Sequence, residues 1–187
     1  MRYTYLGHSS FLLESDSGIR IVTDPYPQTV FAHPIVDCDV VTVSHHHFDH
    51  DDITQVGGSF RVADTPKPLT IGDVRIYGVP SFHDEVMGAK RGDNIIYVFE
   101  FDGIRIAHLG DLGHLLTDDQ IAAIGKLDLL FIPVGGTYTL DPQKAALVTR
   151  QLNAKKTVPM HYGTEGHSFK LKTDKDYYKE LEIFGSL

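Results

Sequence analysis

The 187-residue sequence predicts an α/β fold of two mixed sheets covered by helices. Three observations carry that prediction. A strand-turn-strand unit recurs three times, later strands alternate with segments of helical period, and several apolar strands run out at a His or an Asp. The recurring unit reads "FLLESDSGIRIVTD", "PLTIGDVRIYGVPSFHD" and "YVFEFDGIRIAHLGD". Each joins alternating Ile or Val positions through Asp16-Ser17-Gly18, Gly72-Asp73 or Asp102-Gly103, residue types that adopt positive φ at little cost.

In chain order, Met1 to Leu6 alternates as a strand, and the first hairpin ends at Asp24 ahead of Pro25. The β-branched run "DVVTVS" gives way to His45, the second hairpin to His83 and the third to Asp111. Thr117-Asp118-Asp119-Gln120 has the capping-box form before Ile121, Ala122 and Ile124, with Gly125 as the stop. Asp141 is a good N-cap with Pro142 at the first helical position, and "QKAALVTRQL" keeps helical spacing up to Asn153. "KTVPM" then delivers His161, and a third helix follows Thr173 and ends near Gly185. Strand ends from distant parts of the chain thus bring His and Asp to one rim, where rigid scaffolds present functional groups.

Composition sets the outer bounds. With 42% hydrophobic and 22% charged residues, the chain suits one buried core, read as a single domain over residues 1–187. The run from Leu127 to Val134 is interrupted by Asp128 and Pro133 and falls far short of the roughly 18 residues that cross a bilayer, so no membrane partner is expected. The first strand lacks an apolar signal region, which makes a cytoplasmic location the expectation. Cys38 is the single cysteine and is read as a small apolar group beside a buried strand. A net charge of −8 with scattered Lys and Arg argues against long nucleic acids and leaves a small molecule as the expected partner. An oligomer is neither required nor ruled out.

The densest chemistry is His45-x-His47-x-Asp49-His50. On an extended loop leaving a strand, residues 45, 47 and 49 project to one side, and a turn at 49–50 brings His50 beside them, so two metals can be served at once. Imidazole with carboxylate suits zinc, and also manganese or iron. The plain alternative, a polar surface loop, is weakened by the distant His and Asp partners.

With those partners the chain resembles the metallo-β-lactamase superfamily. The motif is followed in order by the lone His83, by Gly110-Asp111 and by the late His161, and the resemblance covers nearly the whole chain. More narrowly, "YLGHSSFLLE", "TDPY", "FHDEVMGAKRGDN", "HLGDLGH", "IPVGGTYTLD" and "VPMHYGT" are similar to the branch of small metal-dependent hydrolases that includes L-ascorbate-6-phosphate lactonase. The resemblance implies a four-layer αβ/βα sandwich with two divalent ions, Zn2+ foremost and Mn2+ or Fe2+ as alternatives, at the open edge between the sheets. It assigns His45, His47 and His83 to one ion, Asp49, His50 and His161 to the other, and Asp111 to a bridge. Asp24 matches an early aspartate that orients a ligand histidine from behind. His8 matches a residue near the metals, or is a satisfied structural histidine.

The implied reaction is hydrolysis of an ester-type bond (lactone, phosphodiester or thioester) by a hydroxide between the ions, oriented by Asp49. The alternatives are a metal-binding module without turnover and a di-iron redox enzyme, whose branch carries Glu at the position of His47. His83 terminates its strand whereas His108 sits within an apolar one, so His83 is read as a ligand and His108 as a core or supporting residue. Residues 83–94 are expected to form a mobile wall hinged at Gly88 and Gly92. Within it Arg91 presents a guanidinium to an anionic substrate, or else pairs with Asp84, Glu85 or Asp93. Tyr138 lines the pocket or merely packs. His33, His46, His114 and His167 lack a supporting motif and are read as solvent-facing or supporting residues, and Asp141 as a helix cap.

Overall fold

The computed structural model describes residues 1–164 and 170–185; His167 lies outside them. The chain opens with the antiparallel meander β1 (Arg2–Gly7), β2 (Ser10–Glu14) and β3 (Arg20–Thr23). Next come β4 (Val36–Asp37), β5 (Val40–Thr42), a 3₁₀ turn at Ile53–Gln55, β6 (Val56–Gly57) and β7 (Arg61–Ala63). Sheet one has the order β1-β2-β3-β5-β7, while β4 and β6 form a separate two-stranded ribbon. The second half supplies β8 (Leu69–Ile71), β9 (Val74–Phe82), β10 (Asp93–Phe101), β11 (Ile104–His108), α1 (Asp118–Ile124), β12 (Leu129–Pro133), α2 (Pro142–Leu152), β13 (Lys156–Met160) and α3 (Asp174–Gly185). Sheet two runs β13-β12-β11-β10-β9-β8.

Local sequence explains these elements. The β10–β11 hairpin turns at Asp102 (φ 53°) and Gly103 (φ 72°), the two positive angles that a two-residue turn demands. Both arms of the capping box at Thr117 and Gln120 are formed, Asp141 accepts from Lys144 N–H at 2.8 Å, and Asn153 closes α2 in the left-handed conformation. Strand β12, "LLFIP", is buried at every position because it lies inside sheet two with packing on both faces.

Between the sheets, Phe11, Leu13 and Ile21 of sheet one meet Phe99, Ile106 and Phe131 of sheet two, with the Phe11 and Phe131 rings stacked at 4.0 Å. A second core joins sheet two to the helices through Ile96, Val98, Ile132, Ala145, Val148 and Tyr177. The outer face of sheet one is covered differently. Val22, Cys38, Val41 and Val43 pack with Val56 of the β4–β6 ribbon, and among the described residues no α-helix covers that face. The two-sheet α/β plan therefore stands, with its helices gathered on sheet two. Burial pushes the Cys38 thiol up to about 11, in keeping with a packing role.

Strand direction creates the rim. Because β9 and β11 both run antiparallel to β10, and β11, β12 and β13 are mutually parallel, the C-terminal ends of all four lie at one edge. In sheet one, β3 and β5 are likewise parallel. Backbone bonds from Ile95 N–H to Ser44 O and from His161 N–H to His8 O, both 2.9 Å, bring the two edges together. Among the described residues, no helix is long and apolar enough to cross a membrane.

Candidate metal centre

Each predicted ligand follows one of these strand ends. His45 lies just past β5, and the turn closed by His50 N–H to His47 O (2.9 Å) swings His50 back toward it. His83 follows β9 and His161 follows β13. After β11 the chain bends at Gly110 (φ 54°), where a Cβ would collide with the Asn94 amide and with Ser44 Cβ at 2.6 Å, so only glycine allows this entry into Asp111. Asn94 then pins the next residue. Its Oδ1 accepts Asp111 N–H at 2.9 Å while its Nδ2 donates to Ser81 Oγ (2.7 Å) and Leu109 O (2.9 Å).

The side chains converge on one atom. Around Asp111 Oδ2 stand His83 Nε2 at 3.1 Å, His161 Nε2 at 3.2 Å, His50 Nε2 at 3.4 Å and His45 Nε2 at 3.9 Å. Ligand atoms sharing a tetrahedral ion about 2.1 Å away sit roughly 3.4 Å apart, so these spacings fit a metal site. His45, His47 and His83 form one group of donors lying within 4.8 Å of one another, and His8, Asp49, His50 and His161 form a second. His45 Nε2, His50 Nε2 and Asp111 Oδ1 are buried without hydrogen-bond partners, a costly state that a cation would relieve.

The backs of two of the imidazoles, His45 and His50, are tied. Asp24, fully buried, accepts Ser44 N–H (2.8 Å), Ser44 O–H (2.6 Å) and His50 Nδ1–H (3.0 Å). Having given its proton to Asp24, Ser44 Oγ accepts from His45 Nδ1–H at 2.9 Å. Both rings are thereby oriented with Nε2, the atom a metal would take, facing the cluster. Burial pushes the Asp111 carboxyl up, but His161 and His50 outweigh it and hold the group well below the usual carboxylate range. Burial likewise lowers His45 to about 3, assisted by His50, so His45 stays neutral. For His50 burial acts downward, yet Asp111 and Asp24 raise it well above its ordinary value. A bound dication would take over that neutralising role, releasing the His50 proton.

The remaining candidates divide clearly. His8 Nε2 lies 3.2 Å from Asp49 Oδ2 and its ring 4.2 Å from that of His161, which puts His8 within the second donor group. His108 is buried, donates from Nε2 to Ser9 O at 2.7 Å and accepts Gly110 N–H on Nδ1 at 3.2 Å; it supports the bend before Asp111 and belongs to neither donor group. His46 is exposed, and His33 bonds Tyr26 O and Pro34 O. His114 Nε2 accepts Phe82 N–H at 3.2 Å, bracing the strand end ahead of His83.

A cavity of about 340 Å³ opens over the cluster, lined in part by Asp49, Asp111, Lys90, Arg91 and Tyr138. The expected hinged loop is instead a braced one. Gly88 (φ 80°) and Gly92 (φ 89°) occupy tight turns, and Asp84 accepts four backbone N–H groups of the loop. Arg91 makes no ion pair with Asp84, Glu85 or Asp93 through its guanidinium, which donates to Thr137 O at 3.3 Å and lies 5.6 Å over the Tyr138 ring. Sequence reasoning missed the supporting Ser44, Asn94 and Asp84. The available signal was a polar residue flanking a buried strand beside each motif.

Comparison with known proteins agrees with the geometry. Residues 2–161 match the model of the Beta-lactamase superfamily domain. A UPF0173 metal-dependent hydrolase from Methanoculleus marisnigri is 33% identical over 88% of this chain and 82% of the relative. The crystal structure of a Thermotoga maritima protein described as a Zn-dependent hydrolase of the metallo-β-lactamase superfamily superposes with a TM-score of 0.80, at 46% identity over 95% of this chain and 84% of that one. A metallo hydrolase from Ignicoccus hospitalis gives a TM-score of 0.74 at 25% identity over 98% of this chain and 91% of its own. Motif, fold and relatives agree, and the chain belongs to the metallo-β-lactamase superfamily, in its branch of small metal-dependent hydrolases.

Proposed function

We propose that this metal-dependent hydrolase cleaves an ester-type bond (lactone, phosphodiester or thioester) in a small substrate, using a pair of divalent ions of which zinc is the first candidate. His45, His47 and His83 would hold one ion, Asp49, His50 and His161 the other, with Asp111 between them. The observation that carries the reading is the convergence of four Nε2 atoms on a single carboxylate oxygen at 3.1–3.9 Å. Bound there, the ions supply an acidified water as nucleophile and Lewis-acid polarisation of the substrate oxygen.

The chain's own groups supply orientation and proton handling. Asp49 faces the cavity and is steadied by His8 at 3.2 Å, placing a carboxylate where it can accept a hydrogen bond from the attacking water and orient it. Burial pushes this carboxyl up, but the His8 hydrogen bond and His50 outweigh it and keep it ionised. Ser44 and Asp24 hold the ligand tautomers, and Asn94 holds Asp111 in place. The cavity volume of about 340 Å³ suits a small molecule. The test is metal content followed by a panel of generic phosphodiesters, lactones and thioesters, with and without chelator. Turnover that chelation abolishes and zinc restores is expected, whereas silence toward every class at full metal occupancy would favour a binding module without turnover.

A further inference from the structure

The cavity that holds Asp49 and Asp111 is also lined by Lys90 and Arg91, two cations in a chain of net charge −8. Both belong to a loop that carries three carboxylates of its own, and local pairing is the ordinary fate of such cations. Here two of the acids, Asp84 and Glu85, are diverted, and the third, Asp93, makes no ion pair with either cation among the described residues. Asp84 Oδ1 accepts the N–H groups of Val86 (2.8 Å) and Gly88 (2.9 Å), and Oδ2 accepts those of Lys90 and Arg91 (2.8 Å each). Glu85 reaches instead to Lys144 Nζ at 2.6 Å. Asp93 opens β10 in register with Phe82.

Among the described residues, neither Lys90 nor Arg91 therefore has a carboxylate partner, although acids flank both in sequence. The carboxylate that fixes their backbone is spent on N–H groups and does not neutralise their side chains. Arg91 uses one guanidinium hydrogen bond, to Thr137 O at 3.3 Å, and rests over Tyr138, which holds the fork in place with further donors available. Arg91 also lines an adjoining cavity of about 540 Å³, so a substrate longer than the first cavity has room to continue past it.

We propose that Lys90 and Arg91 form a preorganised subsite for an oxyanion, a carboxylate or phosphate group that the substrate carries apart from its scissile bond. The proposal takes the reaction from the hydrolase reading above and adds the charge of the substrate. Arg suits such groups through its planar fork, and Lys adds a second point of charge.

The test uses zinc-loaded protein and two esters with the same leaving group, p-nitrophenyl butyrate and mono-p-nitrophenyl glutarate, which differ by a remote carboxylate. In the Lys90→Met, Arg91→Met double variant, the glutarate-to-butyrate ratio of kcat/KM should fall about 10- to 100-fold, through KM, as expected for lost charge-assisted hydrogen bonds. Arg91→Lys, which keeps the charge and spoils the fork, should fall between. Equal losses on both esters with a lowered Tm would show a bracing role and overturn the subsite. A second arm needs no turnover: calorimetric titration with glutarate and with inorganic phosphate shows which oxyanion is preferred, and the double variant should bind the preferred one about 10-fold or more weakly. If neither ester is cleaved but this loss is seen, open-chain carboxylic esters fall as substrates and the anion subsite stands. If both anions bind the variant as they bind the wild type, the subsite falls whatever the turnover.

Discussion

Asp24→Asn isolates the support beneath the metal centre with almost no change of shape. The native carboxylate accepts three hydrogen bonds, from Ser44 N–H at 2.8 Å, Ser44 O–H at 2.6 Å and His50 Nδ1–H at 3.0 Å, and it is fully buried. An asparagine has one oxygen to offer. If that oxygen keeps Ser44 N–H, the amide nitrogen faces His50 Nδ1–H, and two donors meet. His50 escapes by moving its proton to Nε2, which removes the lone pair aimed at Asp111. If the amide flips, the buried Ser44 N–H is left facing a donor instead. An unsatisfied buried donor costs about 1–3 kcal/mol, and loss of a group that orients a ligand typically weakens metal binding about 10- to 100-fold. The assay is zinc competition against a chromogenic chelator, paired with urea unfolding of the metal-free protein. Both zinc affinity and metal-free stability should drop. A folded variant that binds zinc within about two-fold of wild type, against the 10-fold minimum expected, would refute the orienting role and leave Asp24 as a turn residue.

Other outcomes follow from the same geometry. Asp111→Asn keeps the shape and removes the charge on which four imidazoles converge, so bound metal should fall from about two ions per chain toward one and hydrolysis by roughly 100-fold or more; unchanged metal content by mass spectrometry would sink the bridge. His83→Ala should lose an ion while His108→Ala keeps both and lowers Tm, and the reverse pattern would mean the ligand assignment is wrong. The pH dependence of metal-free stability has a definite sign. Burial lowers His8 and His45 to about 3 from an ordinary 6.5, so the stability tied to their neutral forms is present above pH 6.5 and lost as pH falls from 6.5 toward 3. His47 and His108 are lowered also, chiefly by burial, while the raised His50 acts oppositely, its contribution being present below pH 6.5 and lost only on the alkaline side. Tm of the metal-free protein should therefore fall on acidification from pH 7 to 4.5, and a flat profile by calorimetry would contradict the lowering of these four rings, three of them (His8, His45 and His108) buried.

How much of this was legible in the sequence depended on whether the cause was local. The turn at Asp102-Gly103, the capping box at Thr117 and the Asp141-Pro142 start could be read directly, since each is decided by neighbouring residues. The covering of sheet one was not, because the segments between β3 and β5 and between β5 and β7 have no helical or strand period and pack through single contacts such as Cys38 and Val56. In the site, ligand types stood out at strand ends. Their supports did not: Asn94 acts on Asp111 from 17 residues away, and Asp24 reaches Ser44 from 20. Gly88 and Gly92 were read as hinges because a glycine signals backbone freedom, and only the structure shows that freedom used for fixed positive-φ turns braced by Asp84.

The central claim, that two ions flank Asp111, is tested most directly by anomalous diffraction from a zinc-loaded crystal at the zinc edge. The account predicts two peaks per chain about 3.5–4 Å apart, one among His45, His47 and His83 and the other among Asp49, His50 and His161, each within ligand distance of Asp111. A single peak under zinc excess, or a second peak outside these residues, would contradict it.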